Sequence, residues 1–193
     1  DYPGLFLNAS PREPQLRSVL ATYPRTVENP SGYNNQQQIV IDREKFIART
    51  DGTRSFPWRI AIVTKDDAGL LLSDMVYRLG APSKIADTSW IRPGQVAWDW
   101  WHALNLYGVD FEAGINNETY KYYIDFASRN GVEYVILDEG WAVNEKADLM
   151  QVVPEIDLRE LVAYARERNV GIILWAGYHA FERDLEQVVS HFA

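Results

Sequence analysis

Residues 133–141 read EYVILDEGW, a short apolar run followed directly by two carboxylates, a glycine and a tryptophan. A nearly continuous apolar run of this length is typical of a strand that is buried on both faces, as in a parallel sheet. Comparable runs begin at residues 95 (QVAW) and 171 (GIILW), so the predicted strands start 38 residues apart each time. From residue 95 onwards, the sequence therefore predicts a repeated strand–helix unit.

Amphipathic helices are predicted between these strands and after the last of them, because apolar residues recur there at positions i, i+3, i+4 and i+7. These helices cover residues 120–127, 158–165 and 185–192. Asn116 or Asn117 can cap the first helix, and Asp157 with Glu160 three residues later forms a capping box for the second. A regular strand–helix step of this kind is characteristic of barrel units.

Three such units cannot close a barrel, which needs eight strands. We therefore expect an α/β fold in which residues 95–193 form the first three β-α units of a (β/α)8 barrel and the chain is part of a longer protein. An open, three-stranded doubly wound sheet is the alternative, although it would leave parallel strand edges exposed.

Residues 1–94 differ in character and are rich in strand-type and loop-type sequence. Two β-branched runs, 37–41 and 58–64, predict strands, and the Asp-Gly pair at 51–52 predicts a hairpin turn between them. Residues 1–31 hold five of the nine prolines without a sustained period, so no fold is assigned to them. We expect a domain boundary between residues 94 and 95.

The composition of the 193 residues excludes several classes of function. Lys and Arg number 19 against 27 Asp and Glu, so the net charge is −8 and the chain lacks the basic surface of a protein that binds nucleic acid or an anionic membrane. No apolar run approaches the ~20 residues that span a bilayer. The absence of cysteine excludes disulfides, thiolate metal sites and cysteine nucleophiles. Glycine-rich phosphate loops and the Gly-x-Ser-x-Gly motif are also absent.

Polar and aromatic side chains follow each of the three predicted strands, at the edge where parallel α/β folds hold their substrates. Sugar sites combine such groups, because the C–H faces of a pyranose pack on aromatic rings while its hydroxyls bond to carboxylates. The chain is 13% aromatic, which fits this interpretation. We therefore predict substrate-binding roles for Trp98, Asp99, Trp100, Asp138, Glu139, Trp141 and His179.

These side chains also have structural interpretations. Asp138 could cap the following turn, Glu139 could pair with an arginine, and Asp99 is open to either kind of role. A lone histidine such as His179 is more often structural than ligating. Neighbouring carboxylates on an extended segment point in opposite directions, so Asp138 and Glu139 are not expected to act as a catalytic pair. We expect one of them to accept sugar hydroxyls and the other to be held in the structure.

Longer motifs connect these residues to a known family. Seven stretches carry the similarity: 55–59 (SFPWR), 74–77 (DMVY), 89–94 (SWIRPG), 96–101 (VAWDWW), 107–111 (YGVDF), 120–127 (YKYYIDFA) and 134–141 (YVILDEGW). Together they resemble glycoside hydrolase family 97, a bacterial family of α-glucosidases and α-galactosidases. The LDEGW stretch is also similar to the DDGW stretch of related α-galactosidase barrels, in which the first acid holds sugar hydroxyls.

The resemblance implies an enzyme with an N-terminal β-super-sandwich, a catalytic (β/α)8 barrel, a small C-terminal β domain and a Ca²⁺ ion near the active site. Residues 1–94 would then form the end of the β-sandwich domain plus a linker, and residues 95–193 the start of the barrel. The family's catalytic carboxylates and most of its Ca²⁺ ligands lie on later barrel strands. The catalytic residues are therefore expected beyond Ala193, and this chain is not expected to bind Ca²⁺ alone. The residues that match the early rim of the family's pocket are Trp98, Asp99, Trp100, Asp138, Glu139 and Trp141.

The expected function of the parent protein is hydrolysis of terminal α-linked glucose or galactose from oligosaccharides. One carboxylic acid would protonate the glycosidic oxygen, and a second carboxylate would act as base or as nucleophile, at roughly 6.5–9.5 Å or ~5–5.5 Å respectively. This chain alone is expected to be inactive and to self-associate through exposed barrel edges. Family members usually work in the periplasm, so a periplasmic or secreted protein is expected. Two alternatives stay open: a non-catalytic carbohydrate-binding module that uses the tryptophan-rich strand ends, and an oligomeric α/β scaffold.

Overall fold

The computed structural model describes residues 5–28, 38–56, 60–144 and 146–192. Its strands are β1 Leu5–Ala9, β2 Leu16–Leu20, β3 Pro24–Glu28, β4 Ile39–Arg43, β5 Val96–Trp98, β6 Tyr134–Leu137, β7 Ala142–Val143, β8 Asp148–Val152 and β9 Gly171–Leu174. Its α-helices are α1 Asp67–Leu71, α2 Met75–Leu79, α3 Asn117–Asn130, α4 Leu158–Glu167, α5 Tyr178–Arg183 and α6 Leu185–Phe192. The chain divides into two units, Asp1–Ile47 with Pro93–Ala193, and Ala48–Arg92. The predicted boundary between residues 94 and 95 stays a prediction.

A parallel sheet lies at the centre of the first unit, with its strands in the order β5, β6, β9. Val135 of β6 pairs with Ala97 on one side and with Ile172 on the other. Val135 and Leu137 lie on one face of β6 and are fully buried, whereas Tyr134 and Ile136 on the other face are only partly buried. The burial of both faces that the apolar run predicts is therefore observed on one face only. The three strands predicted from the apolar runs at 95, 133 and 171 are confirmed, as is their parallel direction.

The helices after β5 and β6 begin where their capping residues predict. The side chain of Asn116 accepts a hydrogen bond from the Thr119 amide at 2.9 Å and caps α3. Asp157 accepts from the Glu160 amide at 3.0 Å and caps α4. The predicted helix over 185–192 is also confirmed as α6. None of the helices in the described ranges is long and apolar enough to cross a membrane.

The hydrophobic core of this unit lies where the helices meet the sheet. Helix α3 packs on β6, α4 packs on β9, and the two helices pack on each other. The largest fully buried apolar side chains are Trp141, Tyr120, Ile124, Leu137, Leu149 and Leu161. Because these residues come from α3, α4, β6 and the segment after β6, one continuous core holds the strand ends in place.

Four elements between residues 93 and 192 were not predicted from the sequence. A 3-10 helix, Asp99–His102, follows β5 directly. Strands β7 and β8 form a short antiparallel hairpin between β6 and α4, and α5 follows β9. The 3-10 helix, β7 and α5, with four, two and six residues, are too short to show a hydrophobic period. Strand β8, with five residues, was missed although it is longer than β5 and β6.

Two antiparallel pairs occupy the first part of the chain: β1 with β2, and β3 with β4. Residues 1–31 carried no fold prediction, yet β1, β2 and β3 lie there. The strand predicted over 37–41 is observed as β4, Ile39–Arg43, while residue 37 lies outside the described residues. The strand type expected for this half is therefore present here.

The second unit, Ala48–Arg92, differs from the prediction. Of the strand predicted over 58–64, residues 58 and 59 lie outside the described residues, and residues 60–64 do not form a strand. Gly52 has the positive φ expected of a turn, +85°, but the described residues on either side of it, 44–51 and 53–56, form no strand, so the predicted hairpin is wrong. The described regular elements of this unit are the helices α1 and α2. Alternating β-branched residues did not produce a strand there because none of the described segments pairs with residues 60–64.

Candidate functional site

The parallel direction of β5, β6 and β9 brings the residues after each strand to one edge of the sheet. We call this edge the rim and define it as residues 98–101, 138–141 and 175–179. All seven predicted site residues lie in the rim. The structure therefore places them at the same edge, although it buries them to very different degrees.

Asp99 is the most deeply buried of these residues, with none of its surface exposed. Its Oδ2 atom accepts hydrogen bonds from the Tyr120 hydroxyl at 2.7 Å and from the Asp138 amide at 3.3 Å. Its Oδ1 atom accepts from the amide of Trp100 at 2.8 Å. The Asp99 carboxylate thus joins β5, α3 and the end of β6.

The electrostatic surroundings of Asp99 disfavour its charge. Burial raises the pKa of Asp99 above its ordinary value, and the nearby negative charge of Asp138 acts in the same direction. The hydrogen bonds from Tyr120, Asp138 and Trp100 lower the pKa but do not cancel the effect of burial. No ion pair within the described part of the chain involves Asp99, Asp138 or Glu139.

Asp138 is half-buried and links the ends of two neighbouring strands. Its Oδ2 atom accepts a short hydrogen bond from the indole nitrogen of Trp98, and its Oδ1 atom accepts from the Glu139 amide at 2.7 Å. The second contact is the turn-capping role considered for Asp138. Each oxygen retains a lone pair, so the same carboxylate can also accept hydrogen bonds from a ligand.

Glu139 is held by the hairpin that follows β6 rather than by an arginine. Its Oε1 atom accepts a hydrogen bond from the Asn144 amide group at 3.3 Å, and its backbone carbonyl accepts from the Trp100 indole at 3.3 Å. Burial, and then the charge of Asp138, raise the pKa of Glu139. The ion pair considered for Glu139 is not found among the described residues, and nothing in the sequence marked Asn144 as its partner.

Trp141 belongs to the rim by position but lies in the hydrophobic core, because only 2% of its surface is exposed. Its indole nitrogen donates to the Trp175 carbonyl at 2.8 Å, and its ring meets Phe192 edge-on at 5.5 Å. The turn before it depends on Gly140, whose φ is +119° and whose α-carbon lies close to Ile115. Trp141 therefore ties the end of β6 to the end of β9, and its predicted contact with substrate stays a prediction.

The exposed aromatic rings of the rim are those of Trp98 at the end of β5, Trp101 in the 3-10 helix after it, and Tyr178 at the start of α5. Trp98 is 45% exposed and Trp101 is 81% exposed, with their ring centroids 5.9 Å apart. Trp101 is not among the seven predicted residues, although it belongs to the same DWW run and that run was its only signal. His179 lies half-buried in the first turn of α5, and its predicted role is not tested.

The cavities and possible metal ligands do not define the site. A cavity of about 1050 Å³ is lined by residues of β8, α4, β9 and α6 and by none of the seven predicted residues. A smaller one, of about 260 Å³, includes only Trp141 among them. In the ranges that the structure describes, no three His, Cys, Asp or Glu side chains group closely enough to hold a metal ion. The site is therefore defined by the carboxylates and rings of the rim.

One family model and two relatives of known name match this chain. The family model described as Glycoside hydrolase 97 matches residues 100–193. Over its whole length the chain is 62% identical to a retaining alpha-galactosidase of Bacteroides thetaiotaomicron, of which it covers 29%. It is 39% identical over 140 residues, which are 71% of this chain and 20% of the relative, to a probable retaining alpha-galactosidase of Streptomyces bingchenggensis.

The solved structures show the same likeness at the level of the fold. A glycoside hydrolase family 97 enzyme from Pseudoalteromonas sp. strain K8, in complex with acarbose, matches with a TM-score of 0.60 and 19% identity. The match covers 98% of this chain and 28% of that structure. This chain thus spans less than a third of the length of the relatives and the structure that it matches.

Proposed function

Because this chain belongs to glycoside hydrolase family 97, we propose that it is one part of a longer retaining α-galactosidase, called the complete protein below. The observation that carries this proposal is the 62% identity to a retaining alpha-galactosidase along the whole chain. The sequence left glucose and galactose open, and this relative favours galactose. Since the chain covers 29% of that relative, the proposed activity is that of the complete protein.

The proposal includes the finer architecture. We propose that β5, β6 and β9 are the first three strands of a (β/α)8 barrel, and that residues 1–94 are the end of a β-sandwich domain with its linker. Three parallel strands in chain order, each followed by a helix, support the barrel. The cavity beside β9, lined in part by Ile172 and Leu174, leaves space for a further unit. The antiparallel pairs β1–β2 and β3–β4 support the β domain.

The rim of this chain would form one wall of the sugar site. Asp138 has lone pairs available for sugar hydroxyls, and the exposed face of Trp98 offers an apolar surface to the C–H groups of galactose. The hydrogen bond between these two side chains fixes their relative positions before substrate arrives. The acid and the nucleophile would come from other strands of the complete protein, separated by ~5–5.5 Å for a reaction with retention.

Two properties of the complete protein are proposed from the family alone. One is a Ca²⁺ ion near the active site, for which the described residues of this chain offer no ligand group, so no step of the mechanism is assigned to it. The other is export to the periplasm or to the outside of the cell. Because the described residues hold no group of three such side chains, most ligands for the ion would come from the rest of the complete protein.

The test of the proposed function is hydrolysis by the complete protein. We expect p-nitrophenyl α-galactoside to be cleaved with a kcat/KM at least tenfold above that of p-nitrophenyl α-glucoside, since the rim would hold one sugar configuration better than the other. Proton NMR of the first product formed should show α-galactose. Release of β-galactose, or cleavage of the glucoside alone, would contradict the assignment.

A second measurement separates the enzyme from the binding-module alternative. The 193-residue chain alone is expected to give no turnover above a buffer blank, because the acid and the nucleophile are assigned to other parts of the complete protein. The binding module would be favoured by two results together: galactose saturably quenches the tryptophan fluorescence of the chain, and the complete protein shows no turnover. Circular dichroism of the chain serves as the control for folding.

A further inference from the structure

We propose that Asp99 is a positioning residue: its buried carboxylate, held by the Tyr120 hydroxyl, fixes the backbone of Asp138 and so aims the Asp138 carboxylate and the Trp98 indole at the sugar. This inference rests on the proposed function for its substrate, and it replaces the expectation that Asp99 itself binds substrate. The contacts form one chain, from Tyr120 to Asp99, then to the Asp138 amide, and from the Asp138 carboxylate to Trp98.

Burial argues against direct contact between Asp99 and a sugar. The residue has no exposed surface in this chain, and any further part of the complete protein can only add to its burial. Asp138, the next carboxylate along the rim, is only half-buried. Of the two side chains, Asp138 can reach a ligand and Asp99 cannot.

The hydrogen-bond donors around Asp99 match a group that only accepts. Oδ1 faces one donor, the Trp100 amide, and Oδ2 faces two, the Tyr120 hydroxyl and the Asp138 amide. An ionised carboxylate can accept all three hydrogen bonds at once, whereas an asparagine would direct its own NH₂ group at one of these donors. The site therefore specifies aspartate, although burial makes its charge costly.

Tyr120 is suited to donate a hydrogen bond to this carboxylate at neutral pH. It lies on α3 with no exposed surface, so its ring is fixed in the core. Burial, and then the negative charge of Asp99, raise the pKa of the Tyr120 hydroxyl far above its ordinary value. The hydroxyl stays protonated and remains a donor to Asp99.

The 3-10 helix after β5 is also held by a contact to Asp99. The Leu104 amide donates to the Asp99 carbonyl at 3.0 Å, and the 3-10 helix between them carries Trp100 and Trp101. Ala103 and Leu104 follow with φ of +54° and +59°, a left-handed conformation that favours glycine. The position of Asp99 thus influences both the rings after β5 and the carboxylate after β6.

The test uses Tyr120→Phe in the complete protein, which keeps the ring in the core and removes only the hydroxyl. We expect KM for p-nitrophenyl α-galactoside to rise about tenfold, the loss of one hydrogen bond to a charged group, with a much smaller change in kcat. The indole N–H resonance of Trp98, assigned by its loss in Trp98→Phe, should shift as well, because Asp138 is its acceptor. Asp99→Asn should change KM and the resonance in the same direction.

Tyr164→Phe is the matched control, because it removes a hydroxyl that donates to a different carboxylate, Asp125, at 3.0 Å on the helix side of the sheet. It should leave KM and the Trp98 resonance unchanged. If the unmodified enzyme cleaves the galactoside and Tyr120→Phe moves neither readout, the positioning role is overturned while the proposed function stands. If the enzyme cleaves no α-galactoside but the Trp98 resonance shifts in Tyr120→Phe and not in Tyr164→Phe, the proposed function fails and the positioning contacts stand. A sugar complex in which Asp99 touches the ligand would overturn the proposal directly.

Discussion

Carboxylates occupy two regions of this α/β unit in opposite surroundings. Between α3 and α4, Asp125 accepts hydrogen bonds from the Arg168 guanidinium at 2.6 Å and from the Tyr164 hydroxyl at 3.0 Å, and Glu160 pairs with Lys121. At the rim, no cation among the described residues pairs with the carboxylates, and burial raises the pKa of both Asp99 and Glu139. The acids between α3 and α4 are paired with cations, whereas those at the rim lie close together without a cation among the described residues.

We interpret this difference as a separation between acids that stabilise the fold and acids that belong to the proposed sugar site. Paired, partly exposed acids between helices contribute modestly to stability and place no charge in a site. Close, unpaired acids at the edge of a sheet oppose folding, so they are retained where a ligand uses them. The predictions below test this contrast through matched changes in the two regions.

The largest effect on local stability is expected when a glycine with positive φ is replaced by alanine in each region. Gly140→Ala at the rim forces a side chain into a backbone with φ of +119°, and the new β-carbon would lie 2.2 Å from Cδ1 of Ile115. We expect β6 to lose about 3 kcal/mol of local stability. Gly131→Ala, at the end of α3, has φ of +69° and nothing within 4 Å, so about 1 kcal/mol is expected there.

Hydrogen exchange in the complete protein measures both glycine effects locally. Peptides that cover residues 133–141 should lose protection in Gly140→Ala, and peptides that cover 117–131 should lose less in Gly131→Ala. Equal losses in the two variants would show that the rim turn is no more constrained than an ordinary helix end.

The next largest effect is expected from Asp→Asn substitutions, which should lower activity at the rim and stability between the helices. In the proposed α-galactosidase, Asp138→Asn at the rim should lower kcat/KM on the order of 50-fold, through the loss of charge-assisted hydrogen bonds to the sugar. The free energy of unfolding should change little, because the removal of an unpaired charge offsets the NH₂ group that would face the Trp98 indole or the Glu139 amide. Asp125→Asn between the helices should do the reverse, with activity within about twofold of the unmodified enzyme and a loss of about 1 kcal/mol in stability. Steady-state kinetics and urea unfolding of the same two variants check the pair. A stability loss without an activity loss in Asp138→Asn would place Asp138 in the structural group.

The two regions also differ in how far the sequence predicts them. The helices and their caps at Asn116 and Asp157 follow from local spacing, because a cap contacts a backbone amide only three residues away. The position of the rim follows equally, since strand ends are set by the apolar runs. The roles within it do not, because the contacts of Asp99 with Tyr120 and Asp138 join residues 21 and 39 positions apart.

The errors have the same physical origin. Residues 60–64 have the composition of a strand, but a strand forms only where a partner pairs with it, and no described segment does so there. The hydrogen bond from Asn144 to Glu139 was missed because it depends on the β7–β8 hairpin, which the sequence did not predict. Trp141 is not among these errors: its burial places it in the core, and its predicted contact with substrate stays a prediction.

The smallest expected effect is on the pH dependence of stability, which should have opposite signs for one acid of each region. Hydrogen bonds from Lys121 and then Asn117 lower the pKa of Glu160 below its ordinary value of 4.5. Its contribution to stability is therefore present above pH 4.5 and is lost as the pH falls through the lower, folded value. For Glu139 the folded pKa is raised, so its contribution is present below pH 4.5 and is lost as the pH rises through the folded value.

Urea unfolding of Glu160→Gln and Glu139→Gln between pH 3 and pH 7 tests these signs against the unmodified protein. Both substitutions preserve side-chain shape and remove the titration, and glutamine at 139 can still accept from Asn144. Relative to the unmodified protein, Glu160→Gln should be destabilised more at pH 7 than at pH 3, and Glu139→Gln should be relatively more stable at pH 7 than at pH 3. The double variant should show the sum of the two differences, because the residues have no shared partner among the contacts described. Differences of the same sign in both single variants would mean that the acids of the rim are compensated after all, and the contrast between the two regions would no longer hold.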